Sequence, residues 1–166
     1  MNIFLKDIIN NRVVTWDFLI DDINNTLKYN PYCKSADYYI VFKHIILSLL
    51  IEEEIILLDS DFTESELINQ TGHSEYTEFI KPIDKSVVPI FGNRKALIEK
   101  LNSPSENWKI TLFTSGTTGI PKKVSHNFTS IARFVKISEH NEKSIWGFAY
   151  NPTHMAGIQV FFSGIT

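Results

Sequence analysis

Residues 114–122, with the sequence TSGTTGIPK, restrict the possible folds of this chain more than any other segment. Four hydroxyl side chains and two glycines contribute little to a hydrophobic core, whereas glycine lets the backbone approach a ligand closely. Successive backbone N–H groups in such a turn form a concave anion-binding surface, and Lys122 adds a positive charge beside it. We therefore predict a loop that binds phosphate, most simply the phosphate of a nucleotide.

The neighbouring segments predict a strand before this loop and a helix after it. Residues 108–113 alternate and carry β-branched and aromatic side chains, which is typical of a strand. Apolar residues recur at helical spacing from Phe128 to Val135, and Ser125 or Asn127 is available as the N-cap. A phosphate loop commonly lies between a strand and a helix in α/β proteins, so we expect that arrangement here.

Two common phosphate loops are excluded by spacing. A Walker loop requires a second glycine where this chain has Pro121, and Ser or Thr where it has Lys123. Gly116 and Gly119 lack the third glycine of the dinucleotide fingerprint. A polar surface turn with no ligand is the remaining alternative.

The loop resembles the signature of the AMP-forming, adenylate-forming superfamily, which includes acyl-CoA synthetases, aryl-CoA ligases, nonribosomal-peptide adenylation domains and luciferases. That signature is Ser/Thr-Gly-Thr/Ser-Thr/Ser-Gly-x-Pro-Lys-Gly, and residues 115–122 match it at every fixed position. Lys123 stands where the family usually has glycine. Residues 150–158 are similar to a second family segment, in which a proline, a histidine, here His154, and a glycine begin a helix beside the acyl or aryl pocket.

The resemblance implies that the loop holds the β- and γ-phosphates of ATP. The corresponding residues of this chain are Thr114, Ser115, Gly116, Thr117, Thr118, Gly119 and Lys122. It further implies a catalytic role for His154 at the wall of the acyl pocket, with a histidine that caps the start of a helix as the alternative. Magnesium is expected with ATP, its ligand lying outside this chain, and coenzyme A is the expected acceptor of the acyl group.

The function implied is activation of a carboxylic acid with ATP to an acyl-adenylate. Family members are several times longer, so we expect an N-terminal fragment, incomplete for catalysis, whose exposed edge would be covered by self-association or by a complementary chain. The alternative is a non-catalytic module that binds a nucleotide or a partner protein. An assay of carboxylate-dependent pyrophosphate exchange distinguishes the enzyme from the non-catalytic module.

The order of segments predicts an α/β fold with a mainly parallel sheet and helices on both faces, the first part of the large N-terminal domain of an adenylate-forming enzyme. We divide the chain into an α/β portion at residues 1–107 and a strand–loop–helix–strand–helix portion at residues 108–166. Predicted helices and strands elsewhere are helices at 16–27 and 36–50, a strand at 55–58, a helix with a capping box at Thr63 and Glu66, a strand at 87–91, a helix from Ala96 and a strand at 144–150.

Composition narrows the possible partners and the compartment. A net charge of −3 without a basic stripe argues against nucleic acid as a partner. The partner that the resemblance implies is a carboxylic acid substrate. Cys33 is the only cysteine, which excludes an internal disulfide and is compatible with a reducing cytoplasm. The apolar segment 38–50 is too short to span a membrane.

Few other polar residues suggest a site. The other four histidines have no mutual spacing typical of a metal site. Asp59 and Asp61 follow the strand predicted at 55–58, where a role in a turn is favoured over ligand binding.

Overall fold

The structure, a computed structural model, describes residues 2–86, 88–114, 121–133 and 145–165 of the chain. The helices in these residues are α1 (Trp16–Asn25), α2 (Tyr38–Ile51), α3 (Glu64–Thr71), α4 (Arg94–Leu101), α5 (Phe128–Ile131) and α6 (Met155–Ile165), with a 3₁₀ turn at Thr77–Phe79. The strands are β1 (Ile3–Asp7), β2 (Arg12–Thr15), β3 (Lys28–Tyr29), β4 (Tyr32–Lys34), β5 (Ile55–Leu58), β6 (Lys81–Pro82), β7 (Lys109–Thr114) and β8 (Lys122–Asn127).

The largest sheet in the described residues has four strands in the order β4-β5-β7-β8. Strands β4, β5 and β7 run parallel to one another, and β8 runs antiparallel to β7. Two further sheets are antiparallel pairs, β1 with β2 and β3 with β6. The division at residues 107 and 108 stays a prediction, although β5 and β7 lie on either side of it and pair in one sheet.

The prediction of a mainly parallel sheet with helices on both faces is wrong. The described strands form two antiparallel pairs and one mixed sheet. One reason is that β8 pairs antiparallel with β7, so the fourth strand does not continue the parallel order of β4, β5 and β7. A second reason is that a short turn, in which the Asp7 carboxylate accepts hydrogen bonds from Asn10, joins β1 and β2 as a hairpin.

The helix predicted at Phe128, with Asn127 as one of its two candidate N-caps, begins at that residue as α5, but the strand β8, which was not predicted, lies between it and the loop. Lys122 and Lys123 open β8, and lysine on an exposed edge strand discourages pairing with another chain. The residues of β8, KKVSHN, show no apolar alternation, so no hydrophobic period indicated a strand there. Helix α5 follows it, with Asn127 as the N-cap accepting from the Ser130 N–H at 2.8 Å.

Capping side chains set the start of the longer helices. Asp37 accepts from the N–H groups of Tyr39 and Ile40 at the start of α2. Thr63 and Glu66 form the predicted capping box of α3, which ends at Gly72 with φ 81°. The predicted helices at 16–27 and 36–50 and the strand at 55–58 are confirmed as α1, α2 and β5.

Two predicted strands are not found in the residues described. Residues 88–91 are irregular, and there Asn24 takes both backbone groups of Phe91, accepting from its N–H at 3.1 Å and donating to its C=O at 2.9 Å. Residues 145–150 are also irregular, and there Phe148 packs edge-on against the rings of Tyr38 and Phe42 in α2.

Different sets of residues pack against the two faces of the four-stranded sheet. Ile55 and Leu57 of β5 belong to the main core, which also holds the buried faces of α1, α2, α4 and α6. Ile56 and Leu58, which alternate with them, pack with Leu67 of α3 in a smaller cluster. None of the helices in the described ranges is both long and apolar enough to span a bilayer.

Candidate functional site

The candidate site lies at the edge of the sheet where β4, β5 and β7 end. Because these strands are parallel, their carboxyl ends meet at this edge, where open sheets commonly bind ligands. The β5–β7 register pairs Ile56 with Thr111, and continuing it places Asp59 level with Thr114. The polar residues that follow β5 and β7 therefore share one edge.

The phosphate-loop segment is closed at its base by strand pairing. Thr114 at the end of β7 pairs with Lys122 at the start of β8, and the Thr114 hydroxyl lies 3.5 Å from the Lys122 carbonyl. Both residues are exposed. The other predicted phosphate contacts lie outside the described residues; they are Ser115, Gly116, Thr117, Thr118 and Gly119.

The two lysines of β8 point to opposite faces of the sheet. Adjacent strand residues alternate, and residues directly opposite in an antiparallel pair share a face. Lys123 pairs with Phe113, which belongs to the smaller cluster beside α3, so Lys122 and Thr114 lie on the other face. Within the described residues Lys122 forms no ion pair, which leaves its ammonium group available to an anion.

His154 is brought to the same edge by α6. Its backbone N–H donates to the Asn151 carbonyl at 3.2 Å, and its own carbonyl accepts from the Ile158 N–H at 3.0 Å, so His154 starts the helix. Its imidazole Nε2 lies 2.7 Å from Oδ2 of Asp59, a residue 95 positions earlier in the chain. The His154 side chain is 51% exposed and the Asp59 side chain 20% exposed. The sequence therefore predicted His154 as a site residue, and the structure adds Asp59 as its partner.

Asp59 is held by three hydrogen-bond donors. Its Oδ1 accepts from the Asp61 N–H at 3.1 Å and from the Asn151 amide at 3.5 Å, while Oδ2 contacts His154. Partial burial raises the pKa of the Asp59 carboxyl, but these hydrogen bonds and the charge of His154 outweigh burial and lower it overall. Asp59 is therefore a fixed carboxylate at neutral pH.

The turn before α6 is built around Asn151 and Gly157. Oδ1 of Asn151 accepts from both the N–H and the hydroxyl of Thr153, at 2.9 and 2.8 Å. A Cβ atom at Gly157 would lie 2.3 Å from the Asn151 carbonyl oxygen, so only glycine fits there without a shift. Gly157 thus lets the helix approach the turn that places His154.

From the sequence, Asp59 was expected to have a role in a turn, and that role accounts for only some of the hydrogen bonds of Asp59. It accepts the Asp61 N–H two residues on, as a turn aspartate does, but it also contacts His154. The one sequence signal for this contact was its position directly after a buried strand. In the described ranges no group of three or more His, Cys, Asp or Glu residues is arranged to hold a metal ion.

No protein-family model, curated protein or solved structure shows significant similarity to the chain. The candidate site is therefore interpreted from its own residues and from the resemblance of its loop.

Proposed function

We propose that this chain binds ATP through residues 114–122 and forms part of an enzyme that activates a carboxylic acid as an acyl-adenylate, in the manner of the AMP-forming ligases that its loop resembles. The main support is the strand pairing of Thr114 with Lys122, which closes the base of the loop at the same sheet edge as the Asp59–His154 pair. Such a reaction requires the hydrogen-bond donors that contact the phosphates and the histidine beside the acyl group to lie at the same edge of the sheet.

ATP supplies the electrophilic α-phosphorus and pyrophosphate as the leaving group. A carboxylate oxygen of the substrate attacks that phosphorus, and the bond from it to the bridging oxygen of pyrophosphate breaks. Backbone N–H groups of the loop and the Lys122 ammonium would offset the charge that develops on pyrophosphate. We further propose Mg²⁺ as the counterion of ATP, coenzyme A as the acceptor of the acyl group, and the cytoplasm as the compartment.

Two features of the described residues fit a polyphosphate. The Lys122 ammonium is exposed and has no carboxylate partner there, so binding an anion breaks no existing ion pair. The pairing at the base also brings the two ends of the loop together, which reduces the entropy lost when the loop orders around a ligand.

Calorimetric titration of the 166-residue chain with ATP and with AMP tests the binding step. We expect tighter binding of ATP, because the contacts are made to the β- and γ-phosphates. Lys122→Ala should weaken ATP binding by about tenfold to a hundredfold, since it removes a charged hydrogen-bond donor. Lys123→Ala is the matched control, because it removes the same charge from the opposite face of the same strand. Equal binding of ATP and AMP, or equal effects of the two substitutions, would count against the proposal.

The chemical step is tested by exchange of labelled pyrophosphate into ATP. We expect exchange to require a carboxylic acid, because the reverse reaction proceeds from the acyl-adenylate. ATP binding without such exchange for any acid, in this chain and in a longer form that includes adjoining sequence, would favour the non-catalytic nucleotide-binding module.

A further inference from the structure

We infer that Asp59 is a positioning residue: it holds the His154 imidazole through Nε2 and leaves Nδ1 for the carboxylic acid substrate. The part of this inference that concerns the substrate rests on the proposed function. The part that concerns the imidazole rests on the geometry of the two side chains alone.

The direction of the Asp59–His154 hydrogen bond follows from the state of the carboxylate. An ionised carboxylate has no proton to donate, so Asp59 can only accept in its contact with His154. Nε2 of His154 must therefore carry the proton in the 2.7 Å contact. The neutral ring is then fixed as the Nε2–H tautomer, because the partner of one ring nitrogen determines the state of the other.

The other ring nitrogen of His154 is Nδ1. Within the described part of the chain, Nδ1 of His154 has no hydrogen-bond partner, and half of the side chain is exposed. In the protonated ring Nδ1–H is a donor directed away from Asp59, suited to an oxygen of an anionic carboxylate. The negative charge of Asp59 compensates the imidazolium, so the pair adds no net charge when it meets its ligand.

Asp59 is held in place by contacts other than the one with His154. Its side chain is 20% exposed and is fixed by a backbone N–H and by the Asn151 amide from the turn that starts α6. Asn151 therefore joins the carboxylate to the backbone turn that carries the imidazole. This connection restrains both the position and the rotation of the ring, as a substrate-contacting group requires.

The inference is tested by nitrogen NMR of the imidazole in the ¹⁵N-labelled chain. In the wild type with a neutral ring, we expect His154 as a single tautomer with Nε2 protonated and a slowly exchanging Nε2–H. Asp59→Ala should abolish the slow exchange. Asp59→Asn should retain it in part, because the amide oxygen still accepts. Asp61→Ala is the matched control, since it removes a carboxylate from the same turn but keeps the backbone N–H that Asp59 accepts.

Two results would overturn the inference. One is a neutral wild-type His154 ring that carries its proton on Nδ1 instead of Nε2; this observation needs no variant, so it does not depend on the folding of any. The other is an Nε2–H that exchanges as slowly in Asp59→Ala as in the wild type. The buried indole N–H signal of Trp108 reports whether each variant is folded.

A kinetic readout separates this inference from the proposed function. In pyrophosphate exchange, measured in whichever form is active, this chain or a longer form that includes adjoining sequence, Asp59→Ala should raise the KM for the carboxylic acid by about tenfold and leave the KM for ATP unchanged. Equal changes in both constants would contradict the substrate part. If the wild type binds no ATP, the proposed function and the substrate part fail, while the NMR result still decides the role of Asp59 toward His154.

Discussion

The indole Nε1–H of Trp108 donates a 3.0 Å hydrogen bond to the hydroxyl of Ser48, inside the core between the sheet and α2. Both residues are completely buried. The Ser48 hydroxyl in turn donates to the Ile45 carbonyl at 2.7 Å, so neither polar group lacks a partner. Because Trp108 immediately precedes β7, this contact fixes the strand that leads to the candidate phosphate loop.

Ser48→Ala should destabilise the protein by about 1–3 kcal/mol, because it leaves a buried indole N–H without an acceptor. The free energy of unfolding from urea titration measures this loss. Ser74→Ala is a suitable control, since Ser74 is exposed. A loss for Ser48→Ala no larger than that of the control would show that the buried hydrogen bond contributes nothing.

Gly157→Ala should destabilise the chain by about 1–3 kcal/mol, the usual cost of overpacking. The added methyl group would meet the Asn151 carbonyl at 2.3 Å and the Phe148 ring at 3.1 Å, and these atoms would have to shift. The same shift should move the His154 imidazole, which NMR of its ring nitrogens detects.

Gly164→Ala provides the matched control on the same helix. Its added methyl group would come no closer than 3.6 Å to any neighbour, which is ordinary contact. Because alanine favours a helix over glycine by about 1 kcal/mol, this variant should be at least as stable as the wild type. Equal urea midpoints for the two variants would contradict the account of Gly157.

Asp37→Asn should reduce the loss of stability in acid. Arg12 donates two hydrogen bonds to the Asp37 carboxylate, at 2.6 and 3.0 Å, and this contact lowers the pKa of Asp37 despite partial burial. A carboxyl with a lowered pKa stabilises the fold above its unfolded-state pKa, and this contribution is lost as the pH falls through the folded-state pKa. The wild type should therefore lose more stability than Asp37→Asn below about pH 4.

Replacing Asp37 with asparagine separates its two roles, because the substitution removes the ion pair with Arg12 and keeps the helix cap. It caps helices about as well as aspartate, so α2 should keep its N-cap when Asp37 is replaced. Glu106→Gln is the control for removal of an exposed carboxylate. Unfolding free energies measured across the acid range should show a smaller slope for Asp37→Asn alone, and identical slopes for all three proteins would refute this assignment.

The parts of the fold that depend on local signals were predictable from the sequence. The capping box of Thr63 and Glu66 appears at its predicted residues, and the apolar segment Ile55–Leu58 forms β5. The polar edge strand β8 was missed because its pairing depends on a chain reversal and carries no hydrophobic period. The parallel pairing of β5 with β7 spans more than 50 residues, and no local pattern encodes such a partner.

The candidate site was predictable only one residue at a time. The loop signature and the segment around His154 drew attention to Thr114, Lys122 and His154 separately. Asp59 could not be linked to His154 because the contact depends on where α6 lies against the end of β5. A site assembled from distant segments needs the fold before its members can be connected.

The most direct test of the proposed function is the location of ATP on the chain. In an amide NMR titration, we expect the largest shifts at residues 114–122, including the N–H groups of Gly116 and Gly119. Inorganic pyrophosphate should shift the same signals, whereas AMP should shift them much less. ATP that binds while these signals stay unchanged, or that does not bind at millimolar concentration, would contradict a phosphate-binding loop at this edge of the sheet.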